Sequence, residues 1–222
     1  VSSNLKLSRL ICLFLVLCVD AFTQTEKTMN IKRIALIGSR KLANTNHREA
    51  AELFYDVAKT CAELGHILRS GAAIGADLIA ETAYRDAILE RKATNDQVEV
   101  YIPWKNFQAV RGVNNPLYHL HVIPSDPVFI QRANTMVYNT HPNPNALSQG
   151  ALKLHSRNMN QVFGLDLNTP IDLCICWTEH GIKSGGTASA ITLCERNNIP
   201  VFNLGVDDPQ ITLDALNAYF GF

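Results

Sequence analysis

The residues best suited to chemistry fall in three glycine-bearing stretches of the 222-residue chain: Gly38-Ser39-Arg40, Ser70 to Asp77, and Thr178 to Thr187. The last ends in Ser184-Gly185-Gly186-Thr187, just ahead of a helix-compatible segment from Ala188 to Arg196. Glycines at a helix N-terminus let backbone N–H groups approach an anion, and the helix dipole favours negative charge there. Arg40, Ser39, Ser184 and Thr187 add side-chain donors for phosphate oxygens, Gly71, Gly75, Gly185 and Gly186 permit close backbone approach, and Gly38, Ser70 and Asp77 complete the ligand-binding candidates. Two carboxylates, Asp77 and Glu179, are the weak candidates for acid or base work, which needs a carboxylate close to the scissile bond. For Asp77 the bland reading is a residue stabilising the first turn of a helix; for Glu179 it is an exposed loop carboxylate. Lys153 and Arg157 are four apart, hence on one helix face, and read either as a solvated face or as a phosphate clamp.

The elements that must position these residues follow from apolar runs and their punctuation. Leu173 to Trp177, the Gly-rich loop, the helix, and Ile199 to Leu204 make a βαβ unit. Ile34 to Ile37 is a buried strand. Asn46 with Glu49 resembles a capping box, and Ala50, Leu53, Phe54, Val57, Ala58, Cys61 and Leu64 follow helical spacing until Gly65. His66 to Arg69 is a second strand, Asp77 opens a second helix, and Val98 to Ile102 is a third strand closed by Pro103. Residues 104–170 break the rhythm as an insertion rich in Asn and Pro. It holds two helical patterns, near Pro127 to Tyr138 and Ala146 to Val162. Asp208-Pro209 starts a closing helix. Repeated βα units predict an α/β fold, a Rossmann-like doubly wound and mainly parallel sheet with helices on both faces. Ligands of such a sheet bind beyond the carboxyl ends of the strands, where all three glycine-bearing loops belong.

Bulk properties narrow the function further. Lys plus Arg and Asp plus Glu are 20 each, so no global basic field attracts nucleic acid, and any such binding needs a local patch. The length suits one domain, residues 29–222. The six cysteines include Cys174 and Cys176, two apart in a strand and so on one face. They accompany no ligand set, which reads as buried core in a reducing compartment. Residues 1–28 read as either a secretory signal or an over-extended reading frame with Met29 as the start. Their apolar stretch, Leu10 to Val19, is too short to cross a bilayer. A cytoplasmic location without membrane association is expected, and secretion only if 1–28 is a genuine signal. The full Gly-x-Gly-x-x-Gly fingerprint and the Walker pattern are both absent, which argues against a dinucleotide dehydrogenase and a P-loop ATPase. No cofactor or metal is expected.

Ile-Ala-Leu-Ile-Gly-Ser-Arg (34–40), Ser-Gly-Ala-Ala-Ile-Gly-Ala-Asp (70–77) and Ser-Gly-Gly-Thr-Ala (184–188), in this order, resemble the SLOG superfamily. Within it they look most similar to the Rossmann-like domain of the DNA-processing protein DprA (Smf) and its phage-type relatives. The resemblance covers most of residues 31–205. It implies a nucleotide or phosphoribosyl ligand or, as in DprA, single-stranded DNA during recombination, with Arg40, Lys183, Lys153 and Arg157 as the basic surface. A sister branch, the LOG phosphoribohydrolases, cleaves nucleoside monophosphates with Pro-Gly-Gly-x-Gly-Thr-x-x-Glu. Here the second glycine is missing and Ala190 stands where the catalytic Glu belongs, so hydrolysis requires Glu179 or Asp77 as a substitute. Self-association as a homodimer is a further implication of the resemblance.

Overall fold

The computed structural model of the chain describes residues 30–107 and 119–222. The expectations for 1–28 and for the Asn114-Asn115-Pro116 loop lie outside those residues. The described strands are β1 (Arg33–Gly38), β2 (Ile67–Ser70), β3 (Val98–Ile102), β4 (His119–Val122), β5 (Leu173–Trp177) and β6 (Val201–Asn203). They form one sheet in the order β4-β3-β2-β1-β5-β6, with every pair parallel. The helices are α1 (Arg48–Glu63), α2 (Ala76–Leu89), α3 (Pro127–Thr140), α4 (Gln149–Phe163), α5 (Gly185–Arg196) and α6 (Pro209–Phe220).

Strand parity divides the core in two. Ile34, Leu36, Leu173, Ile175 and Trp177 face a layer built from α1, α2 and α6, which contributes Phe54, Val57, Ala80, Ala83, Leu213 and Leu216. Ala35, Ile37, Cys174 and Cys176 face the opposite layer of α3, α4 and α5, with Val137, Met159, Val162 and Ile191. Residues two apart share a face of a strand, so alternate residues feed alternate layers. This is the doubly wound α/β architecture, with Cys174 and Cys176 buried as core thiols.

Strand order reverses between β1 and β5. The chain builds outward from β1 through β2, β3 and β4, then returns to β1's other edge, where Gly38 lies opposite Trp177. Gly38 is required there, because a Cβ would come within 2.5 Å of the Trp177 carbonyl oxygen. The crevice that opens beyond such a reversal is where open α/β sheets bind ligands.

Two local expectations are corrected. Asn46 and Glu49 form no capping box: a 3₁₀ turn occupies Thr45–His47, and His47 precedes α1 without a side-chain cap. The insertion supplies a strand, β4, beside β3. His119 and His121 interrupt its apolar run, which hid it from a reading based on continuous hydrophobicity. Asp208 caps α6 as expected, accepting from Gln210 N at 3.1 Å.

Candidate anion site at the strand-order reversal

A cavity of about 370 Å³ opens at the reversal, lined by the first loop, by the N-terminal turn of α5 and by one side of α4. Each wall has a local cause. Ser39 accepts a hydrogen bond from Lys41 N at 3.2 Å, starting a short 3₁₀ turn (Arg40–Ala43) that leaves Arg40 exposed at the rim. Ser184 precedes α5 in extended conformation, and its side chain makes no capping bond. The first N–H groups of a helix have no intrahelical partner, so those of Gly185, Gly186 and Thr187 are donors in need of an acceptor. Gly185 has φ +59° with open space where a side chain would stand. The two glycines therefore keep this turn bare.

The third wall is α4, whose residues from His155 through Val162 are all buried. Arg157 is 5% exposed, and its Nη1 donates to Asp77 Oδ2 at 3.3 Å. Gly71 N at 3.1 Å, Ala73 N at 3.4 Å and Gln161 Nε2 at 3.3 Å donate to the same oxygen. Burial pushes the Asp77 carboxyl up and the Arg157 guanidinium down, each opposed by its partner. Four donors converging on one oxygen suit an ionised carboxylate, and a guanidinium holds its proton in proteins. Arg157 Nε and His155 Nδ1 are buried at the cavity without a hydrogen-bond partner. Burial also lowers the pKa of His155, leaving the imidazole neutral at pH 7. A buried donor without a partner, as Arg157 Nε is, is costly and marks a place where an acceptor is missing.

The sequence-nominated residues divide. Gly38, Ser39, Arg40, Asp77, Ser184, Gly185, Gly186 and Thr187 are brought together around this cavity. Ser70, Gly71 and Gly75 stand back from it. Ser70 Oγ donates to Glu81 at 2.5 Å, and Ala72 N donates to the same carboxylate at 3.1 Å, so the β2–α2 loop spends its donors internally. Gly71 instead makes room for Arg157: a Cβ would fall 1.3 Å from Nη1. Gly75, at φ +97°, packs on the Ser39 and Arg40 backbone, where a Cβ would lie 2.4 Å from the Ser39 carbonyl oxygen. The close approaches at 71 and 75 thus serve packing between loops.

Glu179 belongs elsewhere. It accepts from Lys41 Nζ at 2.5 Å and lies 3.3 Å from His47 Nε2, and the Lys41 bond holds its carboxyl below the usual range. It borders a separate cavity of about 840 Å³ with His47, Tyr55, Trp177 and Asp207. Of the four basic residues named for a nucleic-acid surface, Lys183 is paired with Glu195 at 2.6 Å and Arg157 is buried, leaving Arg40 and Lys153 facing solvent.

Sequence reading missed Gln161 and the burial of His155 and Asn158. One signal was present: Leu154, Arg157, Asn158 and Gln161 recur at the spacing of a core-facing stripe but are mostly polar. Among the described residues no helix is long and apolar enough to cross a membrane. No family model, no curated protein and no solved structure matches the chain.

Proposed function

We propose that this cavity binds the phosphate of a nucleotide or phosphoribosyl compound, in the manner the SLOG resemblance implies. The observation that carries the reading is the convergence of unsatisfied donors. The bare N-terminal turn of α5 and the partnerless Arg157 Nε line one cavity at the strand-order reversal, with the unpaired His155 Nδ1 beside them. Donors of this kind favour an oxyanion, and a volume of about 370 Å³ lies at the small end of ligand pockets, suiting a ligand of mononucleotide size.

Binding ranks ahead of hydrolysis because Asp77 is the sole acidic side chain lining the cavity among the described residues, and its Oδ2 is already engaged by four donors. Ala190, where the LOG motif has Glu, lines the same cavity. Binding also ranks ahead of single-stranded DNA, since Lys183 and Arg157 are committed to carboxylates.

The test is a thermal-shift panel on the full chain. It would use inorganic phosphate, mononucleotides, ribose 5-phosphate, ADP-ribose and single-stranded DNA at two salt concentrations. The expected outcome is a rise in Tm with the small phosphates that is reduced in Arg40→Ala and Thr187→Ala. A ligand at a hundred times its Kd stabilises by about 2.7 kcal/mol, a readily measured shift. No shift with any small phosphate at millimolar concentration would sink the reading. Salt-sensitive retention of DNA alone would move the protein to nucleic-acid binding.

A further inference from the structure

Two adjacent glycines open α5, and no side chain within the turn restrains them. Ser184 does not cap it, Gly185 has open space around its Cα, and neither glycine has a side chain to pack. Glycine loses the most conformational freedom on ordering, so a Gly-Gly turn that holds donors in place needs a restraint from outside. One such restraint is visible: Asn158 Nδ2, on the buried side of α4, donates to the Gly186 carbonyl oxygen at 3.0 Å. That carbonyl belongs to the same peptide unit as the Thr187 N–H. A hydrogen bond at the oxygen therefore adds to the helical ladder in holding the peptide plane, and with it the direction of the N–H, while polarising the unit toward stronger donation. Asn158 is 9% exposed and lines the cavity beside Gly186, close enough that a Cβ on Gly186 would lie 3.3 Å from Nδ2.

We propose that Asn158 is a positioning residue for the anion site, holding the Gly186–Thr187 peptide so that the N-terminal donors of α5 point into the cavity. The inference rests on the phosphate-binding reading above. Asn158 suits the task because its amide donates without adding charge. An aspartate of nearly the same shape has no donor when ionised, and would set a negative charge against both the carbonyl and the bound anion.

The test measures affinity for inorganic sulfate, which remains a dianion from pH 5 to 7.5, by calorimetry on the full chain. Wild type, Asn158→Ala and Asn158→Asp are compared, with Tm recorded without ligand. Loss of the single neutral hydrogen bond is expected to weaken binding about tenfold in Asn158→Ala, with little dependence on pH. Asn158→Asp is expected to bind more weakly still at pH 7.5 and to recover toward wild type by pH 5. Burial beside a carbonyl raises its pKa, and the protonated carboxyl can donate to Gly186 again. The alanine variant separates positioning from the charge that aspartate adds: a merely structural role would lower Tm without ligand and leave sulfate affinity within twofold of wild type. Asn158→Ala within twofold of wild type, or an Asn158→Asp deficit that stays flat across the range, would overturn the positioning role. The phosphate reading would then still stand. Absence of binding by wild type to sulfate and to AMP alike would instead remove that reading itself. If the alanine variant does not fold, Asn158→Ser, neutral and too short to reach the Gly186 carbonyl, takes its place with the same expected loss.

Discussion

The guanidinium of Arg157 sits buried against Asp77, and each member of the pair makes the other tolerable. Removing one partner of a buried pair leaves an uncompensated charge and costs about 3–5 kcal/mol. Arg157→Leu is expected to lose stability of that order in urea denaturation. Combining it with Asp77→Asn should recover a sizeable part, because the neutral amide needs no counter-charge. Additive losses in that double-mutant cycle would mean the two side chains do not interact energetically. Gly71 belongs to the same unit. With a Cβ placed 1.3 Å from Arg157 Nη1, Gly71→Ala must displace the guanidinium. A loss of about 1–3 kcal/mol is expected, typical of overpacking, together with weaker phosphate binding. At this scale sequence reading identified the right residue types but misassigned some tasks. Gly71 and Gly75 stood out as glycines beside a strand end, yet whether a missing Cβ makes space for a ligand, an arginine or a neighbouring loop depends on what packs there.

The N-terminal turn of α5 is a helix end without a side-chain cap. Ser184→Asp would supply both a capping acceptor and a negative charge at the positive end of the helix, an effect of about 0.3–1 kcal/mol. The expected result is opposite movement of two readouts: Tm rises without ligand, and affinity for phosphate falls as the carboxylate occupies the anion's place. A rise in both would mean that the turn is not where the anion binds. The elements themselves were largely legible, because β1, β5 and the α1, α3 and α6 patterns follow periodicity that local sequence carries. The start of α1 was not, since the Asn46–Glu49 pair lost to a 3₁₀ turn over Thr45–His47. Nor was the burial of α4, whose polar stripe reads as solvent-facing until α5 and the sheet close over it.

Across the whole molecule, folding is coupled to acid through groups on several elements. His66 is buried between α1 and β2, its Nδ1 accepting from Lys32 N at 3.3 Å and its ring stacked on Phe220. Burial, aided by the nearby Lys32 charge, lowers its pKa to about 4. The unfolded chain takes up this proton near pH 6.5, so the neutral histidine's contribution is complete above that pH and is lost as pH falls from there toward 4. The loss amounts to as much as about 3 kcal/mol. Glu99, held low by Arg69 and Tyr101 against its burial, contributes stability above the unfolded carboxylate range and loses it at still lower pH. Denaturation midpoints between pH 7.5 and 4.5 should therefore decline, and His66→Asn, which keeps an acceptor for Lys32 N, should flatten the slope. An unchanged slope in that variant would assign the decline to other groups.

Sequence alone determined the α/β class, the parallel pairing implied by continuous apolar runs, and a glycine-opened helix after β5. These depend on period, propensity and punctuation, which are local properties of the chain. Only the tertiary structure decided which nominated residues share a cavity. Ser39, Arg40, Asp77 and Thr187 converge because β1 and β5 are neighbours at the strand-order reversal, whereas Glu179, five residues before Ser184, turns toward Lys41 and a different cavity. The same closure buried Arg157 and His155 with unsatisfied nitrogens and set Asn158 against Gly186. Burial and partnership arise from segments distant along the chain, and periodicity within any one of them carries no record of what the others bring.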